Sequence, residues 1–286
     1  MAEENRHGHD RIAAMQPASD HAHVRIVQSR QNARVKELRA ALRRGELTDS
    51  GLIALEGQHL VEEALRSGLH IATLFIRSGS VDLLNGLVLR AHTEIIELPA
   101  DIFASAVTTE SPQPIAALAE APSLALEELL AARQPLIVVS AGLQDPGNLG
   151  TIVRSAEAFA ADGVVALPGT VSVWNSKALR ASAGSAFRMP VVHASTREVI
   201  SALHAYSIRS AATVVEGGTP AHLLDLTQPI ALFIGNEGSG LPADLVAQCD
   251  QRITIPCPGP VESLNAATAA SILLYEASRQ RLARLA

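Results

Sequence analysis

The chain has 286 residues, of which 48% are hydrophobic, 18% charged and 3% aromatic. Such a composition buries a sizeable core in one large or two ordinary domains and excludes a chain disordered throughout. No apolar run approaches the roughly eighteen residues that span a bilayer, and the amino-terminal segment lacks the apolar core of a secretory signal, so a cytoplasmic protein without a membrane anchor is expected.

Residues 1–22 are polar and show no sustained apolar period; they are expected to form a disordered tail. The tail region carries His7, His9, His21 and His23, but a flexible segment lacks the fixed geometry that metal binding needs, and no metal is expected. From residue 23 the pattern reads as helical through Arg44. Between Arg25 and Arg44 seven basic side chains, among them Arg30, Arg34 and Lys36, face Glu37 alone. The whole chain is acidic, with a net charge of −6, so this local surplus is either a solvated helix face or a grip on phosphate.

Strands are expected at 52–55, 74–76 and 95–98, with a helix at 58–67 that closes at Gly68. Proline-containing stretches at 111–114 and 121–122 lead into a Glu-rich helix at 123–132. The predicted division is therefore a substrate-side domain at 23–122, a linker at 123–134 and a second domain at 135–286. That second domain alternates clearly. Strands are read at Leu136–Ser140, 164–167, 211–215, Ile230–Ile234 and 252–255, with helices at 148–161, 175–183, 196–206, 242–248 and 263–283. Apolar strands separated by helices predict an α/β fold with a parallel sheet covered on both faces. The two cysteines, Cys249 and Cys257, are read as reduced packing residues.

Three glycine-containing segments follow predicted strands and deliver polar residues near a helix start, where an open α/β sheet places its ligands. In LQDPGNLGTIVRSAEAF, Asn148 is suited to cap a helix, and Arg154 lies one and a half turns further on, leaning back toward that cap. Plain capping and an ordinary surface ion pair are the alternatives. In GNEGSGLP, glycines 235, 238 and 240 permit close backbone approach around Glu237. Their spacing matches neither the dinucleotide fingerprint nor a phosphate loop, and no acidic residue follows an early glycine motif at the distance a nicotinamide oxidoreductase needs. In PCPGPVESLNAATAA, prolines stiffen a loop in which Ser263 is read as a helix cap, with Asn265 two residues on; alanines 266, 269, 270 and 277 with Leu273 are read as a core stripe. A fourth segment, WNSKALRASAGSAFRMP, carries Lys177, Arg180 and Arg188 with no acidic residue among them, again either a solvated helix or a phosphate grip.

Read together, DPGNLGTIVRSA, LFIGNEGSGL and ITIPCPGPVESLNAATAASILLYE resemble the three ordered motifs of the SpoU (TrmH) family of RNA ribose methyltransferases in the SPOUT superfamily. SRQNARVKELRAL, IALEGQHLVEEAL and TTESPQPIAAL are similar to that family's substrate-binding domain. Cys257 stands where the family commonly has Met, and Ala266-Ala267 where Val is frequent. The resemblance implies S-adenosylmethionine as cofactor, a carboxyl-terminal trefoil knot, a homodimer and an RNA substrate, ribosomal RNA favoured over transfer RNA. It implies cofactor contacts at Gly235, Asn236, Ile255, Pro256 and Leu264, and a catalytic polar set of Asn148, Arg154, Glu237, Ser263 and Asn265. Guanidinium stays protonated in proteins, so Arg154 is better suited to clamping a phosphate than to accepting a proton. The alternative is a catalytically silent RNA-binding or ribosome-assembly factor with the same fold.

Overall fold

The computed structural model describes residues 24–284; the expected tail at 1–22 and the four histidines within 7–23 lie outside them. Two sheets organise the chain. The first has five strands in the order β1-β4-β3-β5-β2, formed by β1 (Val24–Ile26), β2 (Leu52–Glu56), β3 (Ile71–Arg77), β4 (Glu94–Leu98) and β5 (Ile115–Glu120). Strands β1 and β3 flank β4 in parallel, while β5 runs antiparallel to both β3 and β2. Helices α1 (Ala33–Arg44) and α3 (Ala100–Ala106) cover one face, and α2 (Gln58–Arg66) the other.

Helix α1 starts because the Asn32 side chain accepts from the Arg34 and Val35 amides. It stops at Gly45, whose φ of 67° is the left-handed conformation glycine tolerates. Its apolar stripe of Val35, Leu38, Ala41 and Leu42 is buried.

After the short α4 (Leu126–Leu130), the second sheet comprises β6 (Leu136–Ser140), β7 (Gly163–Ala166), β8 (Val191–His193), β9 (Arg209–Thr213), β10 (Thr219–Pro220), β11 (Ile230–Ile234) and β12 (Gln251–Thr254). All seven are parallel, in the order β10-β12-β9-β11-β6-β7-β8. Helices α5 (Pro146–Ala158), α6 (Ser176–Ser182), α7 (Thr196–Ala205), α8 (Ala243–Gln248) and α9 (Ala266–Ala283) complete the layers. β6 and β11 are buried along their full length, as expected of parallel strands covered on both faces. One apolar cluster, from Ile53 and Leu74 through Phe187 and Met189 to Leu273, is shared by both sheets.

Several expectations shift. Residues 24–26 form an edge strand rather than the start of a helix, because their partner is β4, seventy residues away. The stretch after Pro114 is not connecting chain but β5, the strand between β3 and β2. Its alanines disguise it in sequence, since alanine favours helices, yet small side chains suit a strand buried on both faces. Asn148 is not the cap of α5: Asp145 is, its carboxylate accepting from the Gly147 amide at 2.6 Å with Pro146 next in line. Likewise α9 begins at Ala266 with Asn265 as cap, its Oδ1 accepting from the Ala267 and Thr268 amides, and Ser263 sits in the exposed loop before it. Among the described residues, no helix is long and apolar enough to cross a membrane, and no group of three His, Cys, Asp or Glu side chains is placed to hold a metal ion.

Candidate active site

β6 and β11 are neighbours in register, with Ile234 beside Ser140, so the turns that leave their carboxyl ends emerge side by side. The loop after β11 is fixed by Asn236. Its amide Nδ2 donates to the Gly142 carbonyl at 2.8 Å, while its Oδ1 accepts from the Gly238 and Ser239 amides at 2.9 and 3.2 Å. Backbone bonds run both ways between Asn236 and Gly240. This fold-back requires glycine at 235, because a Cβ there would fall on the backbone of Gly240 and Leu241.

So held, Glu237 meets α5. Asn148 Nδ2 donates to Glu237 Oε1 at 2.8 Å, and Asn265 Nδ2 donates to Asn148 Oδ1 at 3.0 Å. The relay has one polarity. A carboxylate only accepts, so the Asn148 NH2 must face it; Asn265 has committed its oxygen to the start of α9, so its NH2 faces Asn148. Partial burial raises the Glu237 carboxyl, but the bond from Asn148 and nearby backbone N–H groups outweigh it and hold the group below the usual carboxylate range. The group is therefore ionised at neutral pH.

Beside Glu237 opens a cavity of about 780 Å³, within the span of small-molecule sites. Its lining includes Gly235, Asn236, Glu237, Ile255, Pro256, Ser263 and Leu264, so the structure brings together all five expected cofactor positions and two of the expected polar ones. Asn148 and Asn265 join through the relay at its edge. Apolar walls come from Ile234, Ile253 and Leu273, whereas the charged lining consists of Glu216, Glu237 and Glu262 with no Lys or Arg. A wall that sequence reasoning overlooked is the turn after β9, from Val214 to Gly217. Its signal was present in VVEGG, a glycine pair directly after a strand. Gly217 has φ 72°, and a Cβ at Gly218 would lie 2.9 Å from the Ile253 carbonyl carbon.

Arg154 is not brought to this cluster. It stands exposed on α5, outside the cavity lining, and makes no side-chain bond to the relay among the described residues. The basic side chains divide. Arg30 pairs with Asp101 and Arg34 with Glu37 and Glu94, so two acidic partners of the basic run come from elsewhere in the chain. Lys177 pairs with Asp145, bracing the cap of α5, and Arg188 pairs with Glu157 and Glu63. Lys36, Arg43, Arg44 and Arg180 are exposed and lack such partners among the described residues.

The model of the SpoU rRNA Methylase family matches residues 135–275, and that of the MRM3-like substrate binding domain matches 32–117. The 23S rRNA (guanosine(2553)-2′-O)-methyltransferase RlmP of Bacillus subtilis is 35% identical over 88% of this chain and 98% of its own length. This chain belongs to the SpoU rRNA methylase family. The 23S rRNA (uridine(2479)-2′-O)-methyltransferase of Streptomyces viridochromogenes is 34% identical over 88% of this chain and 91% of its own. Among solved structures, the SpoU methyltransferase AviRb from Streptomyces viridochromogenes in complex with AdoMet superposes with a TM-score of 0.78 at 32% identity, covering 88% of this chain and 99% of that one. The AdoMet-bound rRNA methyltransferase from Sinorhizobium meliloti gives the same TM-score at 30% identity, covering 90% and 98%.

Proposed function

We propose that this protein transfers the methyl group of S-adenosylmethionine to a ribose 2′-hydroxyl of ribosomal RNA, and that it works in the cytoplasm, where that RNA is assembled. The observation that carries the reading is the Asn265–Asn148–Glu237 relay at the edge of the cavity. The cavity suits the cofactor chemically, since carboxylates without any opposing cation favour a positively charged sulfonium and ammonium. Bound there, S-adenosylmethionine supplies a methyl group already activated for transfer. Gly235, Asn236, Ile255, Pro256 and Leu264 are the residues that would hold it, Gly235 by letting the loop fold back on Gly240 and Leu241 into the shape of the wall.

What remains for the protein is to align the attacking hydroxyl and manage its proton. Glu237, ionised and anchored by Asn148, presents its other oxygen to a ribose hydroxyl, and Ser263, in the lining of the same cavity, offers a hydroxyl. Arg154 is assigned to the RNA backbone as a charged, bidentate clamp. It shares the exposed surface of α5 and α9, where Ser155 and Ser271 bond at 2.7 Å and Phe159 stacks edge-on against Tyr275. On that surface Ile272, Tyr275 and Leu282 are 38%, 55% and 64% exposed. Apolar side chains along a helix already packed on one side fit a two-fold contact, so the proposed homodimer is placed there, with Arg154 at its border. The trefoil knot belongs to the same proposal.

RNA is gripped, on this reading, by the exposed Lys36, Arg43 and Arg44 of α1 and by Arg180 of α6, which are free to meet phosphates, rather than by the internally paired Arg30, Arg34, Lys177 and Arg188. Purified protein given methyl-labelled S-adenosylmethionine and 23S rRNA should label the RNA at one nucleotide and make the following phosphodiester resistant to alkali. A label on a base, or the absence of S-adenosylmethionine binding by calorimetry, would reject the proposal; the latter is the behaviour of a silent assembly factor.

A further inference from the structure

We infer that Glu63, acting through Arg188, is a positioning residue that locks the amino-terminal domain, whose α1 carries Lys36, Arg43 and Arg44, to α5, the helix that bears Asn148 of the relay. The inference rests on the function proposed above. The Arg188 guanidinium lies between the two halves of the chain and uses both edges. Toward α5 it makes a two-pronged contact, Nε to Glu157 Oε1 at 2.6 Å and Nη2 to Glu157 Oε2 at 3.0 Å. Toward α2 its Nη1 donates to Ser67 Oγ at 3.0 Å and to Glu63 Oε1 at 3.4 Å. Glu63 is only 14% exposed and takes a second cation, Arg66, on its other oxygen at 3.4 Å.

Arg188 itself is 40% exposed, and three features tie the pair to the fold. First, it is built into the backbone: Gly184, with φ 87°, leaves the space the Glu63 side chain fills, and a Cβ there would overlap Glu63 Cγ. Second, its catalytic-side anchor, Glu157, is on α5, the helix that bears Asn148 and Arg154. Third, a separate contact stops rotation about the lock. Gly45, just past the Arg43 and Arg44 that end α1, packs so tightly on Asn175 that a Cβ would sit 2.9 Å from Asn175 Nδ2, and Asn175 caps α6, the helix of Arg180. The apolar cluster shared by both sheets holds the halves together, and these two contacts add direction at its rim, setting how the phosphate-gripping cations of α1 stand relative to the relay. A planar guanidinium suits this task because its forked donors fix direction as well as distance.

The test is Glu63→Gln, which keeps shape and leaves the Arg188–Glu157 fork intact, with Glu63→Gln/Ser67→Ala as the stronger break. For structured 23S rRNA, KM should rise and kcat fall, their ratio worsening roughly tenfold or more, because small misplacements of a bound reactant are costly. S-adenosylmethionine affinity should stay unchanged. Hydrogen exchange should show lost protection in α2 and residues 183–189, with both sheet interiors as protected as in the wild type. Unchanged kinetics and exchange in the double variant, or a fall in S-adenosylmethionine affinity as large as the loss with RNA, would overturn the lock while the function stands. A wild type that methylates no RNA would overturn the function and this inference together.

Discussion

Replacing Gly235 with alanine tests the cofactor wall most directly. The added methyl falls on the Gly240 and Leu241 backbone, 2.7 Å from the Gly240 oxygen at one of its contacts, where ordinary contact begins near 3.4 Å. That backbone cannot yield freely, because Gly240 is bonded in both directions to Asn236, which is itself tied to Gly142. Overpacking of this kind costs about 1–3 kcal/mol. If the strain is relieved by moving the loop out of its cofactor-ready shape, the cost appears in binding, and the Kd for S-adenosylmethionine weakens by roughly 5- to 150-fold. Calorimetric titration of wild type and Gly235→Ala, with a melting curve for each, measures both routes. A variant that binds S-adenosylmethionine normally and melts normally would refute the assignment of this fold-back to the cofactor wall.

Asn148→Ala removes both relay bonds while leaving the cavity lining alone, so it should lower kcat by about a hundredfold with less than about a twofold effect on S-adenosylmethionine affinity; equal losses in the two would contradict the role. Arg281 is half-buried and donates to the carbonyls of Gln134, Pro135, Leu226 and Gln228, so Arg281→Met should cost about 2–4 kcal/mol and lower Tm by roughly 4–12 °C, seen by calorimetry. Burial pushes the Cys249 thiol up to about 11. A raised folded value means that the stability the neutral thiol contributes is fully present below the ordinary thiol range and is lost as pH climbs toward 11, so Cys249→Ala should make the alkaline fall in stability shallower in denaturant titrations. Changing Lys36, Arg43 and Arg44 together to Gln should weaken RNA binding and flatten the plot of log affinity against log salt by about two units, measured by filter binding.

How much of this was legible in the sequence depended on how local the cause was. The strand-end motifs announced the β6, β11 and β12 turns because glycine, proline and cap residues act within a few positions of themselves. The relay between Asn148, Glu237 and Asn265 followed once those turns were placed at the carboxyl ends of strands in one parallel sheet. Helix starts were misread by a few residues, since Asp145 before a proline and Asn265 before an alanine run outcompete the nearby Asn148 and Ser263 as caps. β5 was hidden by its alanines, and β8, three residues on the outer edge of the sheet, was too short to show a period. The partners of the basic segments were the least legible. Arg30, Lys177 and Arg188 look unopposed along the chain, yet Asp101, Asp145 and Glu63 arrive from other elements to neutralise them, and no window of sequence contains that information.

The apolar cluster that runs from Ile53 beneath α2 to Leu273 on α9 has no seam at the boundary between the sheets. Cutting the chain near residue 130 would strip cover from both halves at once, leaving each with greasy surface that water penalises. The two halves should consequently denature in a single cooperative step, and neither fragment should stay monodisperse at concentrations where the intact chain does.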